Sequence, residues 1–379
     1  MLFHSDDWGR VGVQDAEGFA ALRASGVYLG GHPYDFYTLE TADDVRAICR
    51  VLSRHRDASG RSPILGMNFV LANVDFPATA ETRFERLCRR PLTEGLPGKW
   101  KRPGLLDAYR EGIEAGVFYP AFHGVTHFCK PVVERYLRSG DERGQLLRTL
   151  YRVETPYIYH HMPWVGYEYW DASCAAGPTF LKTETQHRLI AEGVNAFRQL
   201  FGNGPVSACA PGYRANEDTH RAWSACGIKV VQTGPDNQVG LHINRVGLLQ
   251  IQRNVEYEPA LDPSRYTVEA ALVQTARAFT RGLPAVVSLH SINFHSSLKD
   301  FRALTLKRLD QFLSALEGKH KNVLYLHDGD LYELVRTGGY TFGETAVEVP
   351  VKRRWMPVPG LLQTVRARMG KLARALHLN

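Results

Sequence analysis

Short apolar runs alternate along this chain with longer segments of helical spacing, and that alternation restricts it to an α/β fold. Runs rich in β-branched and aromatic residues fall at 1–5, 26–31, 63–71, 116–122, 205–210, 228–232, 284–290 and 322–326. Between several of them, Asp15 to Ser25, Ala42 to His55, Thr183 to Leu200, Val268 to Arg281 and Ala303 to Leu316 carry the apolar spacing of amphipathic helices. Such alternation predicts a parallel sheet or barrel whose ligands bind at the C-terminal ends of the strands. At 379 residues the chain can bury a large core and exceeds a minimal barrel, so we expect one main domain with insertions over 1–340 and a separate tail over 341–379.

Four short motifs sit at or just beyond strand candidates. The first is Phe3-His4-Ser5-Asp6-Asp7-Trp8-Gly9-Arg10, with two adjacent carboxylates. Neighbours on a strand point to opposite faces, but where a strand opens into a loop both side chains can reach one pocket. The second, His123-Gly-Val-Thr-His127, spaces two imidazoles four apart, which stacks them on one face of a helical turn. With Asp7 they make a two-His, one-carboxylate set. Three protein ligands leave a position open for water, which distinguishes a catalytic zinc site from a closed structural one. Asp6 is then the candidate to take a proton from that water. The third motif is Ala210-Pro211-Gly212-Tyr213-Arg214, and the fourth is Val286-Val287-Ser288-Leu289-His290, which puts a His at a strand end. Each has a plain alternative when it stands alone: a solvated Asp-Asp turn or helix cap, a surface His pair, a satisfied core histidine. Their order along one chain favours a single site.

In that order the motifs resemble those of the polysaccharide deacetylase superfamily, the NodB-homology or carbohydrate esterase 4-like enzymes. The His-Ser-Asp-Asp-Trp-Gly form of the first motif is also similar to that of YdjC-type deacetylases. The resemblance spans positions 6 to 290. It implies an incomplete (β/α)7-type barrel, with loop insertions here. It implies Asp6 as general base, Asp7, His123 and His127 as ligands of a divalent ion, most often Zn2+, and His290 as the acid that protonates the leaving amine. A backbone N–H of Gly212 or Tyr213 would meet the oxyanion. Two departures stand out. The family's Arg two residues before the third-motif Pro is Cys209 here, with Arg214 the candidate to replace it, and the family's Asp-Trp motif has only Asp236 as a counterpart. The stretch 77 to 103 reads as an insertion, either shaping a substrate groove or forming a surface loop.

The segment 151–170 is dense in aromatics, among them Trp164, Tyr167 and Trp170. Rings with polar tips suit sugar recognition, and equally a loop packed over a barrel rim or a contact between subunits of a homo-oligomer. His160 and His161 are spare candidate ligands. The chain has 46 Lys plus Arg against 39 Asp plus Glu, a net of +7, and the seven basic residues after Glu348 account for the whole excess. The body is therefore neutral, which argues against a nucleic-acid surface on it. In the tail, Leu361, Leu362, Val365, Met369, Leu372 and Leu376 form an apolar stripe beside a basic face, the pattern of a helix lying on anionic lipid or docking on protein. Six cysteines without C-x-x-C spacing read as free thiols. With the first motif at position 6 and no run of transmembrane length, we expect a cytoplasmic enzyme, peripheral on the inner membrane face. The expected substrate is an N-acetylated sugar on a lipid or nucleotide carrier, in surface polysaccharide assembly. The alternatives are a related hydrolase of another acyl group and a non-catalytic carbohydrate-binding protein.

Overall fold

Every residue of Leu2–Trp8, strand β1, is buried, and so is every residue of Leu65–Phe69, β2. A strand with no solvent face belongs inside a parallel sheet covered on both sides. The computed structural model describes residues 1–235, 240–342 and 345–348. In it, β1 and β2 are joined by β3 (Phe118–Phe122), β4 (Ser207–Ala208), β5 (Val230–Thr233), β6 (His242–Ile243), β7 (Leu249–Gln252), β8 (Val255–Glu256) and β9 (Val286–His290). They form one nine-stranded sheet in the order β6-β7-β5-β4-β3-β2-β1-β9-β8. All neighbours pair in parallel except β6 and β7. The α/β architecture expected from alternation is therefore present, with nine strands in the sheet where the resemblance implied seven.

The five expected helices form as Ala16–Ala24, Ala42–Leu52, Thr183–Phe201, Val268–Thr280 and Arg302–Lys319. Local chemistry sets their starts: Asp15 caps the first by accepting from Gly18 N–H, and Thr41 and Asp44 form a reciprocal capping box on the second. Further helices at Leu105–Glu114, Lys130–Arg138, Glu142–Arg152, Glu217–Ala225 and Asp328–Thr337 add to these.

Two strand candidates do not enter the sheet. In 26–31, Gly26 and Gly30 take positive φ and Tyr28 is 75% exposed, so the run turns on the surface. The run 322–326 lies alongside the start of β1, where Leu326 N–H donates to Met1 O at 2.9 Å, without becoming a ladder strand. The candidate tail helix and Asp236 lie outside the described residues. No helix among the described residues is long and apolar enough to cross a membrane.

Helix-to-sheet contact is tight enough to select residues by size. A Cβ on Gly112, in Leu105–Glu114, would sit 1.9 Å from the Phe118 ring of β3, whereas a Cβ on Gly318, in Arg302–Lys319, would meet nothing within 4 Å. The two helical glycines should therefore respond to Ala with opposite signs. Gly112→Ala is expected to cost about 1–3 kcal/mol through overpacking, and Gly318→Ala to gain up to about 1 kcal/mol in helix propensity. Paired denaturant melts check this, and equal shifts for both would refute the packing argument.

Candidate active site

All the chemistry-bearing side chains gather at the C-terminal ends of the parallel strands, where such sheets place their sites. Asp6 and Asp7 end β1, and the backbone explains how both face one cavity. Asp7 takes φ 76°, in the left-handed region, and the pairing of β1 with β2 shifts register between Ser5 and Trp8. That single reversal undoes the strand alternation that would otherwise part the two carboxylates. A non-glycine residue in this region costs about 1–2 kcal/mol, least for Asp and Asn. The Asp7 carbonyl is held by the Tyr37 hydroxyl at 2.8 Å, and Gly9, next but one, also takes positive φ while its N–H donates to Glu40 at 2.8 Å.

His123 directly follows β3. The expected helical turn over His123 to His127 is absent: the segment is a loop, with Gly124 at φ 95°. Buried Glu168 shapes it by accepting from Val125 N–H at 3.2 Å and Thr126 N–H at 2.8 Å. Burial pushes the Glu168 carboxyl up to about 7 despite those bonds. The loop still brings the imidazoles together, with ring centroids 5.1 Å apart.

The outer nitrogen of each ring is committed. His123 Nδ1 lies 2.8 Å from Cys209 O, a carbonyl that can only accept, so Nδ1 carries the proton. Tyr157 donates its hydroxyl hydrogen to His127 O at 2.9 Å, so its oxygen accepts at 2.6 Å from His127 Nδ1. Both Nε2 lone pairs then point inward at Asp7 Oδ1, 3.5 Å from His123 and 3.0 Å from His127. Asp7 Oδ1 and His123 Nε2 are buried with no hydrogen-bond partner. Three acceptors facing one another without a proton between them fit a cation. Burial holds His127 down to about 4 against the pull of Asp7, so it is a neutral donor at physiological pH. Burial favours a protonated Asp7, but the Arg10 guanidinium outweighs it and keeps Asp7 anionic.

Asp6, His123 and Cys209 also converge. There, however, the carboxylate is already engaged, and burial keeps Cys209 a thiol. Arg253, 0% exposed at the end of β7, grips Asp6 with two bonds of 2.5 and 2.8 Å, and Asn68 of β2 donates to it at 2.6 Å. Burial would raise the Asp6 carboxyl, but Arg253 and the nearby histidines drive it well below the usual carboxylate range. Arg214 does not reach the carboxylates. Its guanidinium lies 4.3 Å over the Trp170 ring, and the charge sought there comes from Arg253.

His290 ends β9 directly in register with Asp6, its Nε2 3.8 Å from Asp6 Oδ2. Its Nδ1 meets Glu258, just beyond β8, at 2.6 Å, and Asn293 donates to the other Glu258 oxygen at 2.5 Å. Burial opposes charge on His290, yet Glu258 and the two aspartates overcome it and raise the imidazolium to about 9.

Asp6, Asp7, His123, His127, His290, Gly212 and Tyr213 line one cavity of ≈ 240 Å³ together with Arg10, Tyr34 and Tyr159. Of the two candidate oxyanion donors, Tyr213 N–H is already given to Ala210 O at 2.8 Å, while Gly212 N–H meets no acceptor among the described residues. Gly212 takes φ 60°, and a Cβ there would lie 2.4 Å from the Tyr167 ring, so only glycine fits. Tyr167 thus backs the loop without lining the cavity, and Trp170 packs edge-on beyond it, their centroids 5.1 Å apart. Trp164 packs on Tyr136 and Arg143, away from the site. Sequence reasoning missed Arg253, Glu258, Asn68, Tyr157 and Glu168. The first two follow Leu249-Gln-Ile-Gln252 and Val255-Glu256, short runs whose strand character was the available signal.

No protein-family model matches the sequence, and no curated protein is similar to it. Among solved structures, a Mycobacterium smegmatis chain assigned as a polysaccharide deacetylase is similar at 12% identity and a TM-score of 0.43, covering 88% of this chain and 90% of that one. A family 4 carbohydrate esterase of Streptomyces lividans is similar at 11% identity and 0.34, covering 84% and 88%. A 4-alpha-glucanotransferase of Thermococcus litoralis is similar at 10% identity and 0.42, covering 88% of this chain and 38% of that one.

Proposed function

We propose that this chain is a metal-dependent hydrolase that removes the acetyl group from the nitrogen of an amino sugar, on an incomplete barrel of the deacetylase kind. One observation carries the reading: the ligand atoms of Asp7, His123 and His127 converge in the cavity that Asp6 and His290 also line. Asp7, His123 and His127 would hold the ion, and their oxygen and nitrogen donors suit Zn2+. A divalent ion there supplies Lewis-acid polarisation of the acyl carbonyl and a more acidic water.

The remaining work falls to the chain's own groups. Asp6 takes the proton of the attacking water, and because Arg253 keeps its proton affinity low, it holds that proton only in passing. Gly212 N–H donates to the oxygen on which charge develops. As the C–N bond breaks, His290 gives its Nε2 proton to the departing nitrogen. Tyr34 and Tyr159, both lining the cavity, offer ring faces to the sugar.

The protonated His290 favours an amide over an ester, since an amine leaves only with a proton. Arg253 on Asp6 supplies a charge where the family's third-motif Arg is missing, which supports the catalytic reading over that of a non-catalytic carbohydrate-binding protein. The basic tail and the neutral body further suggest a lipid- or nucleotide-linked precursor as substrate, handled on the inner membrane face. Membrane flotation that is unchanged on deleting residues 351–379 would count against the lipid part.

The direct test is acetate release from N-acetylated sugars and O-acetyl esters beside the metal content of the same preparations. Metal-dependent acetate release from the amides supports the proposal, and release from esters alone overturns the amide assignment. Asp6→Asn should retain the ion yet lose about 10²–10⁴-fold in turnover, whereas His127→Ala should lose both. Full activity in either variant refutes the roles given. Because the imidazolium of His290 persists to about pH 9, kcat/KM should hold up to that range and fall as pH rises through it. Glu258→Gln removes the partner that raises it and should move the fall toward neutral pH, and an unmoved basic limb would exclude His290 as the acid.

A further inference from the structure

A second set of donors lies next to the cavity and takes no part in the chemistry above. Asp35, in the short helix Pro33–Phe36, is 0% exposed. One of its oxygens, Oδ2, accepts from Gly30 N–H at 2.8 Å and His32 N–H at 3.0 Å. The other, Oδ1, lies 3.3 Å from His160 Nδ1 and 3.2 Å from His161 Nε2. None of these three buried atoms has a hydrogen-bond partner, although the distances would allow one. The ring nitrogens are near the oxygen without aiming an N–H at it.

We propose that Asp35, His160 and His161 form a second divalent-metal site of the zinc class, which fastens the rim of the cavity. Three features support it. The donor set repeats that of the first site, one carboxylate oxygen and two imidazole nitrogens. Bonds of about 2.0–2.1 Å in a tetrahedron separate its ligand atoms by about 3.3–3.4 Å, close to the two nitrogen-to-oxygen distances here. The imidazoles are packed as only a shared cation or two neutral rings would permit, with His160 and His161 centroids 3.8 Å apart and His32 stacked 4.3 Å from His160. The consequence is positional. Asp35 adjoins Tyr34 and His160 adjoins Tyr159, and those two tyrosines wall the cavity with their rings 5.8 Å apart. An ion bridging 35 to 160 and 161 ties two loops distant in sequence and fixes that wall.

The site is independent of the deacetylase reading, so its test reads metal rather than acetate. Full-length protein is loaded with zinc alone, dialysed, and assayed for bound ion beside His123→Ala, His160→Ala/His161→Ala and the combination of all three. Two equivalents in the wild type, one in each of the first two variants and none in the combination support the proposal. A cobalt-loaded His123→Ala sample should keep a visible absorption band, and zinc should still raise its Tm. One equivalent in the wild type, abolished by His123→Ala, overturns the second site and leaves the first standing. An equal content in all samples shows adventitious zinc and overturns it too. If circular dichroism shows that the double variant is misfolded, Asp35→Asn replaces it, because the amide can keep the bonds from Gly30 and His32 while presenting N–H donors to the imidazoles. It should lose one equivalent without loss of fold, and retention of both overturns the proposal.

Discussion

The site depends on one backbone reversal. A regular strand cannot turn consecutive side chains to one face, so a chain that uses Asp6 and Asp7 in one cavity must break the alternation between them. It does so by placing Asp7 in the left-handed region. Glycine would adopt that conformation without strain but would bring no carboxylate. Asp is among the few residues that can do both. The strain is contained by neighbours that have no chemical role: Tyr37 and Ser291 on the Asp7 carbonyl, Glu40 on Gly9 N–H, and Asn73 bonding both Gly9 O and Val11 N–H. Strained geometry persists where its surroundings over-determine it, and here the Asp7 carbonyl, both backbone groups of Gly9 and the Val11 N–H each find such a partner.

Below the cavity the sheet interior is polar, and its order follows from Asp6. Arg253 bonds Asp6 and Gln232, Gln232 bonds Asn68 and Asp328, and Asp328 accepts from His4 at 2.7 Å. Burial would raise Asp328, but His4, the Ser207 hydroxyl and the Gln232 amide bring it to about 2. Such a network is worth little as net stability, yet deleting one partner leaves a buried charge uncompensated at about 3–5 kcal/mol. Its value is in direction. Two bonds from a planar guanidinium fix a carboxylate in plane and in place, which a lysine could not do. A base so held is weak but does not move.

What was legible in the sequence were residues whose type announces their chemistry and whose strand does so too. Asp6, Asp7, His123, His127 and His290 follow apolar runs, and the structure brings them into one cavity. What was hidden depends on sequence separation. Arg253 lies 247 residues from Asp6, and nothing local says that the strand carrying it lies two strands from β4. Glu258 lies just beyond β8, at the opposite edge of the sheet from β6, and only the placement of β9 beside β1 brings it behind His290. The His-x-x-x-His spacing led to a helical turn, because four residues also suit a loop when a glycine takes positive φ and a carboxylate from 42 residues away ties the amides. The aromatic segment shows the limit of composition: Tyr157 and Tyr159 reach the site, while Trp164 packs on Tyr136 and Arg143 instead.

On the roles proposed above, the pairing of Asp6 with His290 shows how one sheet makes an acid and a base of neighbours. Their strands are adjacent and in register, so the two groups face the same cavity with 3.8 Å between them. Left to each other, they would share a proton across that gap and serve neither purpose. Each is instead held by a partner of opposite charge on its far side, Arg253 for Asp6 and Glu258 for His290. The guanidinium makes protonation of Asp6 unfavourable, and the carboxylate makes deprotonation of His290 unfavourable, so the proton stays on the imidazole. Both partners come from strands other than β1 and β9. The charge polarity of the pair is therefore a property of strand order, and a change that moved either β7 or β8 would abolish it without touching Asp6 or His290.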